Sequence, residues 1–226
     1  MSMDVVSTNS LILLFFLTID YFIMYLVIYY FLNGNTHNIP RVWSYFVLLF
    51  KYFALIVFFA IYYRKYIKEK WHDFKKNFKK YFKIAFNDWI IGFVIMYLSN
   101  IIIMQIIGSS GKNEETVQKL ITSIPILAFI LTTILAPIIE ELIFRKSLQD
   151  CFKNKKIFMI VSGLLFGFIH VMGAENYLEY LLIIPYGALG VSFAHTLNET
   201  DNIYPSMMMH AMHNGFLTLL AIMVNL

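Results

Sequence analysis

Charge is what this sequence has least of. Asp, Glu, Lys and Arg make up 14% of its 226 residues, against 59% hydrophobic residues and a mean hydropathy of +0.67. Soluble domains carry roughly 45–50% apolar residues, so a water-soluble globule is excluded. Cysteine is nearly absent too: Cys151 stands alone, which rules out a disulfide framework and any multi-cysteine metal knuckle. There is no G-x-S-x-G serine elbow and no H-E-x-x-H zinc helix, so two common hydrolase signatures are missing. No internal repeat or low-complexity tract is present. Aromatics, by contrast, abound: 22 Phe, 15 Tyr and 3 Trp exclude a disordered chain, because disorder requires too little apolar surface to bury.

A membrane-spanning helix needs about 20 mostly apolar residues, and windows of that kind recur along the whole chain. About seven are expected: 11–32, 42–63, 89–107, a fourth from near Leu120 past Pro137 to Arg145, then 157–172, 181–197 and 205–224. The fold class is therefore an all-α polytopic membrane protein. Nine of the 18 Lys and Arg fall between Arg64 and Lys83, a cluster that suits a membrane surface and not nucleic acid. Trp71, Phe74, Phe78 and Phe82 recur there at helical spacing among lysines, which predicts an amphipathic interfacial helix on anionic lipid. Short loops rich in Lys and Arg stay cytoplasmic. That rule puts 64–83 and Lys146, Lys153, Lys155 and Lys156 inside, with the N-terminus cytoplasmic and the C-terminus external. The segment MSMDVV has no basic n-region, so the first span reads as uncleaved.

Ionisable residues inside spanning helices are costly and mark functional sites by default. In Ala136-Pro-Ile-Ile-Glu-Glu-Leu-Ile-Phe-Arg145, two adjacent carboxylates point about 100° apart and cannot share one role. Glu141 and Arg145 stand at i and i+4, the spacing of an ion pair. Glu140 lacks that partner and is the better general base. His170 follows Gly163 and Gly167, whose small-xxx-small face permits close helix approach. His210 and Asn214 share one helix face and make a plausible oxyanion site; His213 points elsewhere. Asp20, Lys51, Asp88 and His195 read as structural, and Met207, Met208 and Met209 as core fillers. Glu140, His170, His210 and Asn214 suffice to hydrolyse an amide with water directly. His170, His210 and Glu140 also form a two-His, one-carboxylate set able to hold Zn²⁺, and spacing alone leaves both chemistries open.

Glu140-Glu141-x-x-x-Arg145, Phe166-x-x-x-His170 and His210-x-x-x-Asn214, in that order and each in an apolar helix, resemble the motif series of the CAAX protease and bacteriocin-processing (CPBP, or ABI) intramembrane proteases. The resemblance covers roughly 120–226, leaving 1–119 as leading transmembrane helices with the basic segment 64–83. It implies a helical bundle and metal-independent peptide hydrolysis without a cofactor. Glu140 with His170 would activate water, His210 and Asn214 would stabilise the oxyanion, and Glu141 with Arg145 would hold the architecture. Every motif position is occupied, so nothing marks a dead homologue. The expected substrate is a short peptide or a membrane-proximal segment of another protein, in peptide maturation, signalling-peptide processing or bacteriocin self-immunity. A composition typical of AT-rich genomes points to a bacterial cell membrane. The competing classes are a non-catalytic immunity or scaffold protein and a transporter, the latter lacking the expected repeat. One geometric difficulty stands: measured from the cytoplasmic ends, His210 lies about 8 Å in and His170 about 20 Å in.

Overall fold

The computed structural model describes residues 41–225, so the expected first span at 11–32 and Asp20 lie outside the described residues. The described residues fall into two units, divided between Ile67 and Lys68. The described part of the first is dominated by α1, Arg41–Tyr62, whose stretch Tyr45–Tyr62 is long and apolar enough to span a membrane. Its aromatic side chains stack along the helix, Phe58 on Tyr62 and Phe59 on Tyr63.

The basic segment differs from the single interfacial helix expected at 64–83. Helix α2, Arg64–Lys76, ends before Asn77, and Phe78 begins α3, Phe78–Ile107, one continuous helix of 30 residues. Hydropathy marks where lipid begins, but lysines are good helix formers, so nothing stops the helix at the apolar boundary. Gly108, at φ 72°, ends α3 in the left-handed conformation and returns its N–H to the Met104 carbonyl, as glycine does at helix C-termini.

Helix α4, Lys112–Ser123, is separate from the fourth expected span, because the chain breaks at Ile124 before Pro125. Helix α5 then runs Pro125–Ser147, with π-wound stretches at Leu131–Leu135 and Leu142–Ser147 on either side of Ala136–Glu141. Helix α6 is Lys155–Val171, capped by the Asn154 side chain, which accepts from the backbone of Lys156 and Ile157. A 3-10 turn, Tyr177–Leu182, leads into α7, Ile183–Thr200, and α8 is Ile203–Asn225. Five helices among the described residues are long and apolar enough to span: Tyr45–Tyr62, Phe78–Ile107, Pro125–Ser147, Tyr177–Thr200 and Ile203–Val224. Helix α6, at 17 residues or about 25 Å, is shorter than the hydrocarbon core. The fold is an all-α polytopic membrane protein.

In the second unit, α7 is the central element and packs against both α3 and α6. The expected glycine face is real. A Cβ on Gly167 would lie 2.6 Å from the Ile183 carbonyl oxygen, one on Gly163 2.9 Å from that of Gly187, and one on Gly190 2.9 Å from the Gly163 Cα. The two backbones meet as small residues allow. Gly92 serves the α3–α7 seam in the same way, its absent Cβ replaced by the Ser192 side chain. Met209 is fully buried with Ala85, Leu189 and Phe193, and Met208 packs against that cluster.

Polar contacts sort the loops into two ends. At one end Lys70 pairs with Asp201 at 2.7 Å, Asn202 donates to the Lys70 carbonyl, and Lys155 donates to the Asn198 carbonyl. At the other, Lys112 pairs with Glu175 and its backbone N–H donates to Glu179. The basic loops therefore share one end of the second unit, and the 108–119 and 173–180 loops share the opposite one.

Candidate active site

Three helices bring the site together. Helix α5 carries Glu140, Glu141 and Arg145, α6 carries Phe166 and His170, and α8 carries Ser206, His210 and Asn214. Glu141 and Arg145 are both fully buried, and Arg145 Nη2 lies 3.2 Å from Glu141 Oε1, the ion pair expected from their spacing. The same oxygen faces His210 Nδ1 at 2.9 Å. A carboxylate only accepts, so His210 donates from Nδ1–H and its Nε2 points onward. The other Glu141 oxygen accepts from the Ser206 hydroxyl. Glu141 is thus fully engaged by three groups, while Glu140, 16% exposed, has Oε2 3.7 Å from His210 Nε2. The two neighbouring carboxylates take different surroundings, as their divergence on the helix requires.

Arg145 is held by more than charge. Its guanidinium lies 4.5 Å from the ring centroid of Phe166 and 5.6 Å from that of Phe193, within the range of cation–π attraction. The Phe166 ring is also 4.6 Å from His170 and 5.5 Å from His210. Phe166, one turn before His170, therefore packs against both histidines. His170 donates from Nδ1 to the Phe166 carbonyl at 2.7 Å, leaving Nε2 as an acceptor. It stacks on Tyr186 at 4.5 Å, whose hydroxyl accepts from Asn113. His170 is near enough to Glu140, His210 and Arg145 to feel their charges.

Asn214 is turned toward α5, where its amide donates to the Thr132 carbonyl at 3.0 Å. The reason lies in the local winding. In the π register Ala136 N–H reaches back to Leu131, so the Thr132 carbonyl looks to residue 137, and Pro137 has no N–H to give. Asn214 supplies the missing donor and keeps a second amide hydrogen. His213 points away from the site and accepts at Nδ1 from Trp89. Asp88 is engaged by His195 at 3.0 Å and Thr196 at 2.8 Å, in keeping with structural roles. Cys151 donates to the Ser147 carbonyl. Among the described residues no group of three His, Cys, Asp or Glu side chains is placed to hold a metal ion.

Ser206 escaped the sequence reading. The signal was present, because Ser206, His210 and Asn214 follow one another at i, i+4 and i+8 on a single face. Phe166 and Phe193 carried no such signal, since a phenylalanine beside a buried cation looks like any core phenylalanine until the fold is known.

In this all-α membrane bundle three helices bring two carboxylates and two imidazoles into one candidate site, with the Asn214 amide on the same face of α8 as His210. Residues 122–216 match the family described as type II CAAX prenyl endopeptidase Rce1-like. That segment carries all three motifs, and the match is consistent with the resemblance to the CAAX protease and bacteriocin-processing proteases. YdiL of Bacillus subtilis (strain 168), named as a candidate membrane peptidase, is 28% identical over 143 residues, covering 62% of this chain and 53% of YdiL. The UPF0177 protein YvdC of Lactococcus lactis subsp. lactis (strain IL1403) is 30% identical over 141 residues, covering 60% and 52%. The UPF0177 protein YbdI of the same strain is 29% identical over 147 residues, covering 61% and 78%. The chain thus spans about half the length of YdiL and YvdC. No solved structure matches.

Proposed function

We propose that this chain is an intramembrane endopeptidase of the glutamic type, in which Glu140 and His170 activate a water molecule without a metal. The observation that supports it best is the buried line Ser206, Glu141, His210, Glu140. Two hydrogen-bond donors, Ser206 and His210, and the Arg145 cation hold Glu141, Glu141 fixes His210 by its Nδ1, and His210 Nε2 faces Glu140, the partly exposed carboxylate of the pair. An imidazole oriented at one nitrogen by a carboxylate presents its other nitrogen in a fixed direction, the arrangement acid–base chemistry requires.

In the proposed reaction a water between Glu140 and His170 Nε2 loses a proton to Glu140 as its oxygen bonds to the peptide carbonyl carbon. The resulting oxyanion takes hydrogen bonds from His210 Nε2–H and the second amide hydrogen of Asn214. Glu141 holds the ring by Nδ1–H, so that Nε2 is the nitrogen left to serve the oxyanion. The C–N bond then breaks as the proton on Glu140 passes to the leaving amine, giving a carboxyl and an amine terminus. The substrate is a short peptide or a membrane-proximal segment, processed in peptide maturation, signalling-peptide release or bacteriocin self-immunity. We place the N-terminus and the basic end in the cytoplasm, the C-terminus outside, and the protein in a bacterial cell membrane.

The test is cleavage of a panel of fluorogenic prenylated and unprenylated peptides by purified protein in detergent, wild type beside Glu140→Gln, with and without a zinc chelator. Chelator-resistant cleavage that disappears in the variant is the expected result. Cleavage that survives in Glu140→Gln, or is lost to the chelator, overturns the mechanism. An intact panel with every peptide uncut overturns the peptidase reading in favour of a non-catalytic immunity or scaffold protein.

A further inference from the structure

Helix α3 is too long for the membrane it crosses. Thirty residues rise about 45 Å, against a hydrocarbon core of about 30 Å, so roughly ten residues stand in the headgroup layer or beyond. The sequence identifies the end that protrudes: Lys79, Lys80 and Lys83 occupy the first two turns, and the rest of the helix to Ile107 carries no lysine or arginine. Lys68, Lys75 and Lys76 on α2 extend the same patch. All six lysines are exposed, and so are Trp71, Phe78 and Phe82, at 45%, 45% and 38%. Glu69 is the one exposed acid among residues 68–83, and Asp73 is spent inward. Cations interleaved with exposed aromatics at the depth where acyl chains give way to headgroups are complementary to an anionic bilayer surface.

The inward face of this segment is fastened to the start of α8. Asp73 accepts from Asn202 at 3.0 Å, from Tyr81 at 2.7 Å and from Asn77 at 2.7 Å. Asn202 donates also to the Lys70 carbonyl, and Lys70 pairs with Asp201. Trp71 and Phe74 pack on Tyr204 with ring centroids 5.1 and 5.7 Å apart. Tyr204 opens the helix that carries Ser206, His210 and Asn214, and Ser206 lies two residues further on.

We propose that the Lys68–Lys83 surface is a docking site for anionic phospholipid headgroups and that lipid bound there holds the α7–α8 turn, and with it the entry of α8, in its site-forming position. Lipid charge is then a regulator of the site: headgroups order α2 and the first turns of α3, and the Asp73–Asn202 and Trp71–Tyr204 contacts pass that order to the turn. The consequence for cleavage rests on the peptidase reading above; the docking and the ordering of the turn do not.

Amide hydrogen exchange of the full chain in nanodiscs separates the two. Phosphatidylcholine discs are compared with discs containing 30 mol% phosphatidylglycerol, for wild type and for a variant with Lys75, Lys76, Lys79, Lys80 and Lys83 changed to Gln. In wild type, exchange at 68–77 and at 198–204 slows at least about fivefold in the anionic discs, the factor expected for a single lysine engaged at a charged surface. The five-lysine variant shows no such slowing. In Asn202→Ala, 68–77 stays protected while 198–204 loses the effect. Raising NaCl from 0.05 to 0.5 M removes the wild-type difference, because exposed charges are screened, and this arm needs no variant. Equal exchange in the two discs, or slowing that persists in the five-lysine variant or in high salt, overturns the docking site. Slowing at 68–77 with none at 198–204 in wild type overturns the coupling. Exchange is read without substrate, so its outcome is independent of whether any peptide is cleaved.

Discussion

Changing Glu141 to Gln keeps the side-chain shape and removes one charge, and the structure says what that charge supports. Arg145 is fully buried, its guanidinium nitrogens meet no hydrogen-bond geometry among the described residues, and Glu141 at 3.2 Å is the carboxylate that compensates it. Breaking a buried pair from one side leaves the other charge stranded, at a cost of about 3–5 kcal/mol, a large part of the roughly 5–15 kcal/mol by which a fold is stable. For a chain of this size each kcal/mol moves the melting point by about 2–4 °C. Glu141→Gln should therefore melt about 6–20 °C below wild type in detergent. Adding Arg145→Met removes the stranded charge and puts a flexible thioether between Phe166 and Phe193, a contact sulfur makes favourably. The double variant should regain most of the lost stability. Turnover should stay roughly a hundredfold down, because Gln no longer holds Nδ1–H of His210 through a negative charge. Melting followed by tryptophan fluorescence and cleavage of the best panel peptide are the two readouts. A single variant as stable as wild type refutes the buried-pair reasoning. A double variant with wild-type turnover reduces Glu141 to a counter-ion.

Four further outcomes follow from other contacts. Ser206→Ala removes a hydroxyl donor from a buried carboxylate and should cost about 1.5–3 kcal/mol of stability, read as a lower melting point; an unchanged one means that donor is idle. Asn214→Ala should lower kcat by about 10²–10³ with little change in KM, and should also destabilise by about 1–3 kcal/mol because the Thr132 carbonyl loses its donor. Unchanged kcat removes Asn214 from the reaction. Gly167→Ala forces a methyl to within 2.6 Å of the Ile183 carbonyl oxygen, and moving the α7 backbone to relieve it should cost about 1–3 kcal/mol; a neutral effect on melting would show that the α6–α7 seam is looser than described. The Asp73 carboxyl is held below the ordinary carboxylate range, first by Asn202, then by Tyr81, Asn77 and the Lys70 charge, with burial opposing them. A carboxyl depressed in the folded state stabilises above its unfolded value of about 4 and loses that contribution as pH falls through the folded one. The melting difference between wild type and Asp73→Asn should accordingly be constant from pH 6 to 8 and shrink as pH falls below about 4, whereas a difference independent of pH would mean that the Asp73 charge is not what holds the turn.

What was legible in the sequence was what local helix geometry decides. Glu141 with Arg145, and Gly163 with Gly167, sit at spacings that put them on one face whatever surrounds them, and the structure shows the ion pair and the glycine seam. The approach of Glu140 to His210 joins residues 70 apart in the chain; the ordered series of motifs suggested it through a resemblance, and no spacing could have. The contact of Asn214 with Thr132 was out of reach, because it depends on a π register interrupted at Pro137, two facts about backbone winding that hydropathy does not encode. The start of α3 was misjudged for the opposite reason: hydropathy changes sharply after Lys83, but the helical backbone has no cause to begin there and runs back to Phe78.

The two π-wound stretches of α5 bear on why adjacent glutamates can take separate roles. Such windings insert a residue into the helical register and recur at functional sites. Here they lie on both sides of Ala136–Glu141. The first, with Pro137, leaves a carbonyl that draws Asn214 against α5. The second contains Arg145, at the level where its cation lies between the rings of Phe166 and Phe193. Phe166, held by that cation, packs against both His170 and His210. The ion pair that looks purely architectural therefore reaches both histidines through one ring, while Glu140, the carboxylate outside the pair, keeps its partial exposure and faces His210 Nε2. Neutralising Arg145 should thus disturb the placement of His170 as well as that of His210, although His170 shares no hydrogen bond with it.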